Sequence, residues 1–392
     1  MEADFSPNAI ALILALIQHR CVIVPLADAI GEKKPEFCEI AEVEERIIVQ
    51  PCGRVEAQPT GVFSRHRLLR ELKEADRPGL VLFSSGSTGR SKAAVHDFAR
   101  LLEKFKVRRR AYRTMAFLLF DHIGGLNTLF YTLSNGGCIV TAGDRRPETV
   151  SRSIQKHRVQ LLPTSPTFMN LLLLSEAYKG NDLSSLELVT YGTEVMPETT
   201  LARFHALFPN ARLHQTYGLS EVGILRSKSR SSDSLWVKVG GEGFETRVVN
   251  GLLEIKAKSA MLGYLNAPSP FTKDGWFQTG DAVEADGEYI RVLGRNSEMI
   301  NVGGEKVYPA EVESVLESME GVDAAAVSAD SSPITGQMVK AKVKLRTAET
   351  IAEFRKRMRA FCDGRLSKFK VPQKVVLVSE DLHSERFKRT RR

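Results

Sequence analysis

Cysteine is scarce in this 392-residue chain: its five copies, Cys21, Cys38, Cys52, Cys138 and Cys362, are odd in number, scattered and never spaced as CxxC. A disulfide framework and a cysteine zinc site are thereby excluded, and a reducing cytoplasm is the compartment that fits. Long apolar runs are also missing. The stretch MEADFSPNAIALILALIQHR at residues 1–20 is too short in its apolar part for a bilayer span and is preceded by acidic residues, so it reads as a core helix leading into the strand CVIVPL. Aromatic residues make up only 7% and do not interleave with the basic ones. The formal charge of +8 is dispersed except at Arg108, Arg109 and Arg110 and in the tail RFKRTRR. A solvated basic surface hospitable to anionic nucleotides is expected from this, with neither nucleic acid nor membrane as a partner. Repeats and low-complexity segments are absent.

What the chain does have is length and an ordinary globular balance, 43% hydrophobic and 26% charged, enough to bury a large core and to divide into two domains. Strand-like runs (CVIVPL, GLVLFSS, AFLLF, CIVTA, VQLLPTS, LELVTYG) alternate with helical stretches such as ETTLARFHALF. That alternation predicts helices packed on largely parallel sheets, an α/β fold. From about residue 235 the pattern turns to short strands punctuated by glycine, a small β-rich subdomain. After Arg295 an α+β unit follows: strand MINVG, helix PAEVESVLESM, strands DAAAVSA and MVKAKVKL, helix TIAEFRKRMRAFCDGRL and strand KVVLV. Pro309 sits where a helix begins and Gly364 near where one ends. The boundary is expected between Gly294 and Met299.

The strongest local signal is Ser84-Ser85-Gly86-Ser87-Thr88-Gly89-Arg90-Ser91-Lys92, which follows the strand GLVLF and is expected to precede a helix. It lacks the order of a Walker P-loop. Its glycines and small hydroxyl residues nevertheless allow backbone N–H groups close to phosphate, and Lys92 adds a positive charge. On these residues alone, a flexible strand-to-helix turn and a phosphate loop stand level.

Five motifs in order resemble those of the adenylate-forming superfamily, which includes acyl- and aryl-CoA ligases, luciferases and peptide-synthetase adenylation domains. SSGSTGRSK resembles its phosphate loop, TYGTEVMP (190–197) its adenine-contacting segment and QTYGLSE (215–221) its aromatic-glycine-x-hydroxyl-glutamate motif. DGWFQTGD (274–281) is similar to its ribose-binding motif, and GRNSEMINVGGEKVYPAEVE (294–313) to its hinge and the opening of its C-terminal domain. The resemblance implies an adenylation domain over 1–294, a hinge at 295–299 and a mobile C-terminal domain over 300–392, with a shortened N-terminal segment before the phosphate loop.

The resemblance further implies ATP-dependent conversion of an aryl or medium aliphatic carboxylic acid into an acyl-adenylate, passed to the thiol of CoA or of a carrier protein's phosphopantetheine. Such chemistry brings two anions together and needs fixed cations and donors. By the same resemblance Glu221 would hold Mg²⁺, and Asp281 and Arg295 the ribose hydroxyls. Tyr217, with Gly218 and Ser220 beside it, would stack on adenine, or pack in the core. Gly192, Thr193 and Glu194 would pass close to the base edge and the acid pocket.

His122, in FDHIGGL, stands where CoA ligases place a histidine near the acid. An alternative register gives that role to Asp121, where amino-acid-activating domains pair an aspartate with the substrate ammonium. Ser297 occupies the pivot position, and Gly303 and Gly304 the place where a pantetheine arm passes. Lys388 is the candidate for the lysine that meets the carboxylate and α-phosphate, although Phe387 stands where glycine is expected; Lys370 is another cation in reach. Two rival readings are an amino-acid-activating enzyme and a non-catalytic nucleotide-binding relative.

Overall fold

The computed structural model describes residues 1–85, 91–384 and 386–391. Between residues 113 and 215 the chain alternates strand and helix, and its five strands form one parallel sheet. Across that sheet the order is Arg212–Gln215, Leu188–Tyr191, Leu161–Thr164, Arg113–Met115 and Cys138–Val140. Parallel neighbours need crossovers that return the chain to the same end, and here the helices Ile123–Ser134, Pro147–His157, Pro166–Ser175 and Glu198–Leu207 make them. Both faces are covered, which is why Val150, Ile154, Leu162, Phe168, Leu172, Val189, Leu201 and Phe204 are buried together. The arrangement leaves every strand's C-terminal end at one rim, where loops are free to carry polar groups.

The run AFLLF is not a strand. Its neighbour Cys138–Val140 has only three residues, so pairing ends after the Ala116 amide donates to the Val140 carbonyl at 2.8 Å. The run continues as a loop that buries Phe117 and Phe120 and leads to Asp121.

A second correction concerns the glycine-serine segment. The strand Gly79–Ser85 is followed by the strand Ser91–Asp97, paired antiparallel with Ser84 opposite Lys92 and Ser85 opposite Ser91, and not by a helix. No helix dipole is therefore aimed from that turn. The residue types explain the outcome: Ser91 to Asp97 reads SKAAVHD, and its central residues Ala93, Ala94, Val95 and His96 are all buried within a four-stranded sheet that also holds Val22–Ile23 and Gly263–Tyr264.

A six-stranded antiparallel sheet runs in the order Arg226–Ser229, Val237–Gly240, Tyr289–Arg295, Phe277–Asp286, Leu252–Ala257 and Phe244–Val249. It begins at Arg226, ahead of the change of texture near residue 235. Beyond Arg295 the α+β unit has the expected elements and a core of its own, with Ile300, Val312, Leu316, Val327, Phe354 and Met358 at its centre. Thr350 and Glu353 form a reciprocal capping box on the helix Ile351–Cys362. Among the described residues no helix is long and apolar enough to cross a membrane.

Candidate active site

The loops at the C-terminal rim of the parallel sheet supply most of the residues singled out from the sequence. After Leu161–Thr164 come Ser165 and Thr167; after Leu188–Tyr191 come Gly192, Thr193 and Glu194; after Arg212–Gln215 comes the segment Tyr217 to Glu221. Gly192 packs so tightly that a Cβ there would lie 2.7 Å from the Thr216 hydroxyl oxygen and 2.8 Å from the Thr216 carbonyl oxygen. Thr193 has φ +73°, a left-handed conformation that costs a β-branched residue energy and commonly marks a functional loop. Glu194 is held on one side by the Thr167 hydroxyl at 2.6 Å and on the other by the backbone amide of Arg389.

Tyr217 is buried in one cluster with Val222, Leu253 and Ile255, and its phenol donates to Asp281 Oδ2 at 2.5 Å. Asp281 and Arg295 face each other across the ladder between Phe277–Asp286 and Tyr289–Arg295, and Arg295 Nε donates to Asp281 Oδ1 at 2.7 Å. Burial raises the Asp281 pKa above the ordinary carboxylate range, while Arg295 and the Tyr217 hydroxyl work against it. Burial, with Asp281 beside it, pushes the Tyr217 phenol well above its usual value, so it remains a donor.

Glu221 is buried and accepts from the Tyr264 hydroxyl at 2.7 Å and from the Ser84 hydroxyl at 3.4 Å. Lys92 lies 5.5 Å over the Tyr264 ring. Next to this group His96 Nε2 donates to the Ser220 carbonyl at 2.6 Å, and burial lowers the His96 pKa to about 4, which keeps the ring neutral. Ser84, Lys92 and Glu221 thus stand together at the mouth of the antiparallel pair. Gly86, Ser87, Thr88 and Gly89 lie outside the described residues. The donor set suits magnesium: one carboxylate and hydroxyls, with the remaining positions left to water and phosphate oxygen. Among the described residues no cluster of three or more His, Cys, Asp or Glu side chains competes for a metal.

Lys388 arrives from the far end of the chain. The tail folds into a tight turn in which Phe387 N donates to the Ser384 carbonyl at 2.9 Å and Ser384 N to the Lys388 carbonyl at 2.8 Å. Phe387 has φ +53°, the left-handed backbone that glycine adopts without cost. Its ring offsets that cost by packing 5.3 Å from Phe117 and 5.5 Å from Phe168, and its carbonyl accepts from the Ser165 hydroxyl at 2.8 Å. Burial, with Arg386 and Arg295 nearby, lowers the Lys388 pKa, while Glu194 and Asp121 pull it up. Lys370, the other cation considered, is engaged elsewhere, 2.6 Å from Glu311.

The alternative of a merely solvated basic tail does not describe Arg389 and Arg391. Arg389 is only 13% exposed and bridges Glu313 and Glu317, while Arg391 pairs with Glu313 and, at 2.7 Å, with Glu298. Although burial works in the other direction, Arg389 and Arg391 hold the Glu313 pKa low. The residues that sequence reasoning missed are those that hold others in place: Tyr264, Thr167, Ser165, Glu313 and Arg386. Glu313 closes the motif at 294–313 but carries no sign there of its arginine partners, and no such motif contains the other four.

Asp121 is buried and His122 half-buried, and both meet Arg386, so the two registers weighed in the sequence converge on one guanidinium. Desolvation lowers the His122 pKa well below 6.5, with Lys388 and Arg386 adding to the effect. Ser297 lies in the short 3₁₀ turn Asn296–Glu298. Gly303 and Gly304 are not gathered with the others: they form the exposed turn between Ile300–Val302 and Glu305–Val307, and a Cβ on Gly304 would meet nothing within 4 Å.

Comparison with known proteins identifies the family. The AMP-binding enzyme family model matches residues 1–250, and the AMP-binding enzyme C-terminal domain model matches 311–388. An indoleacetate–CoA ligase of Aromatoleum aromaticum is 26% identical over 407 residues, covering 94% of this chain and 78% of its own. A feruloyl-CoA synthase of an Amycolatopsis species is 29% identical, covering 76% of this chain and 65% of its own. A methyl-dioxo-octahydroindenyl propanoyl:CoA ligase of Rhodococcus jostii is also 29% identical, and this chain spans 61% of its length. Among solved structures, ATP-bound MatB from Rhodopseudomonas palustris superposes with a TM-score of 0.77 at 23% identity, over 97% of this chain and 84% of its own. The anthranilate CoA ligase AuaEII with anthranoyl-AMP gives 0.69 at 22% identity, over 79% of this chain and 65% of its own. With a family model over well more than half its length, this chain belongs to the family of AMP-binding enzymes.

Proposed function

We propose that this chain uses ATP to activate a carboxylic acid as an acyl-adenylate and transfers the acyl group to the thiol of CoA. The observation that carries the reading is the burial of Lys388 within electrostatic reach of Glu194, His122 and Asp121 at the rim of the parallel sheet. A cation brought there from the other end of the chain has a purpose where two anions must approach. The names of two relatives support an aryl acid: indoleacetate and ferulate each carry an aromatic ring joined to the carboxyl by one or two carbons.

In the first half-reaction a carboxylate oxygen attacks the α-phosphorus, the bond to the β-phosphate oxygen breaks, and pyrophosphate leaves. Charge gathers on the α-phosphate oxygens, and the Lys388 ammonium neutralises part of it. Asp281 accepts from the ribose hydroxyls with Arg295 fixing its direction, and Tyr217 lends the base a flat side. The neutral ring of His122 closes the acid pocket without adding charge. Glu221 would hold magnesium, which would offset phosphate charge. In the second half-reaction the thiol sulfur, giving up its proton to solvent, attacks the acyl carbon, and AMP leaves with the bonding pair of the acyl C–O bond.

The division at 295–299, with Ser297 as pivot, belongs to the same reading. Gly303 and Gly304 are exposed in their turn here, and a rotation of residues 300–392 would carry them toward the adenylate while withdrawing Lys388. A cytoplasmic enzyme with a small-molecule acid and CoA as partners follows from this function. Acid-dependent pyrophosphate exchange across a panel of aromatic and aliphatic acids tests it. Exchange with at least one aromatic acid, followed by thioester formation with CoA, is expected. Absence of exchange with the whole panel would sink the activity.

A further inference from the structure

Arg386 joins a buried carboxylate and a half-buried imidazole of the large N-terminal unit. Its Nη2 donates to Asp121 Oδ2 at 2.6 Å and its Nη1 to His122 Nε2 at 2.5 Å. The Asp121 side chain is 2% exposed, and among the described residues its Oδ1 has no hydrogen-bond partner. A carboxylate so placed is stable only with a cation against it, and it becomes costly when that cation is withdrawn. The guanidinium also suits the neighbour: a neutral imidazole nitrogen accepts one N–H while the carboxylate accepts another, a division of labour that an ammonium matches less well. Arg386 lies two residues before Lys388, and the intervening Phe387 is pinned by its ring and its carbonyl. Where Arg386 is seated therefore decides where the Lys388 ammonium stands.

We propose that Arg386 is a positioning residue, the built-in counter-ion of the Asp121–His122 pair, which seats Lys388 for adenylation and opposes its withdrawal. Any pose that carries the tail away must uncover Asp121. The bond between Arg386 and Asp121 is therefore a contribution to the preference for the adenylating pose, separate from any contact with substrate. The inference rests on the acid-activating reading for its kinetic arm only.

The test compares wild type with Arg386→Ala and Arg386→Lys in two measurements. Hydrogen exchange of the backbone amides of 382–391 needs no substrate: it should rise in Arg386→Ala and fall again when millimolar guanidinium is added. In the kinetic arm, using the acid found by the exchange panel, Arg386→Ala should lose about 10²-fold in adenylation, as truncation of one partner of a buried hydrogen-bonded charge pair does. Thioester formation from synthetic acyl-AMP should hold or rise, guanidinium should restore part of the adenylation loss, and Arg386→Lys should fall between the two. If Arg386→Ala does not fold, Arg386→Lys carries the test, with a loss confined to adenylation expected. Equal losses in both half-reactions, unmoved by guanidinium, would overturn the proposal, as would unchanged exchange in the tail. Should no acid react with wild type while the exchange arm behaves as stated, the activity fails and the counter-ion stands.

Discussion

Tyr217 and Asp281 share a 2.5 Å hydrogen bond deep in the protein, and Asp281 passes the connection on to Arg295, its partner across the strand ladder. One contact thus joins the segment after the parallel sheet to the antiparallel sheet. Tyr217→Phe leaves Asp281 Oδ2 without that donor, in a place where a hydrogen bond to a charged group contributes about 1.5–3 kcal/mol. The melting temperature should drop, and the KM for ATP should rise while acid KM stays near its wild-type value. An ATP KM that does not move would remove Tyr217 and Asp281 from the nucleotide site.

Glu221→Gln keeps an acceptor for Tyr264 and Ser84 but removes the charge that magnesium needs. The fold should survive, acid-dependent AMP formation should collapse at ordinary magnesium, and part of it should return at high magnesium. Full activity with an unshifted magnesium dependence would defeat the assignment.

Lys388→Ala should slow adenylation by roughly 10² to 10³, the loss typical of one removed stabilising donor, and spare thioester formation from synthetic acyl-AMP. The pH dependence follows from the direction of the shift. Burial, reinforced by Arg386 and Arg295, lowers the Lys388 pKa, so the ammonium is lost at a lower pH than in a free lysine. Adenylation should therefore fall as the pH rises through the alkaline range, whereas Lys388→Arg should lack that limb because its guanidinium stays charged. The same alkaline limb in both enzymes would mean that another group titrates.

Phe387 offers a comparison between ring and backbone. Phe387→Ala loses the packing on Phe117 and Phe168 and keeps the left-handed strain, while Phe387→Gly loses the packing and is freed of about 1 kcal/mol of that strain. Protection of the amides in 382–391 against hydrogen exchange should rank wild type above Gly and Gly above Ala. Ala at or above Gly would show that the φ of residue 387 is not imposed by the docked tail.

Hinge behaviour at Ser297 is checked by Ser297→Pro, which restricts φ to about −65° in the segment expected to turn. Adenylation and thioester formation should change by different factors, and equal factors would count against a pivot there.

Much of the molecule is legible in the sequence because it depends on neighbours along the chain. Period-two and helical patterns mark the elements after Arg295, Pro309 opens its helix, and ordered short motifs mark Gly192, Glu221, Asp281 and Arg295. These are local matters of propensity, capping and turn chemistry. Even the placement of polar loops at one rim follows once strands and helices alternate.

The rest was decided in three dimensions. Ser91 to Asp97 became a strand and not a helix because its burial in a mixed sheet outweighs local preference, and AFLLF stayed a loop because its partner strand ends. The basic tail is drawn inward by carboxylates far away in sequence: Arg386 meets Asp121 at a separation of 265 residues, and Arg389 meets Glu313 at 76. Charge composition alone carries no information about such pairs, because the energy that selects them arises only when the docked tail removes both partners from water. The sequence by itself determined the elements, the motifs and the chemistry they imply; tertiary structure alone decided which cation stands against which buried carboxylate, since desolvation is a property of the packed molecule and not of any segment of it.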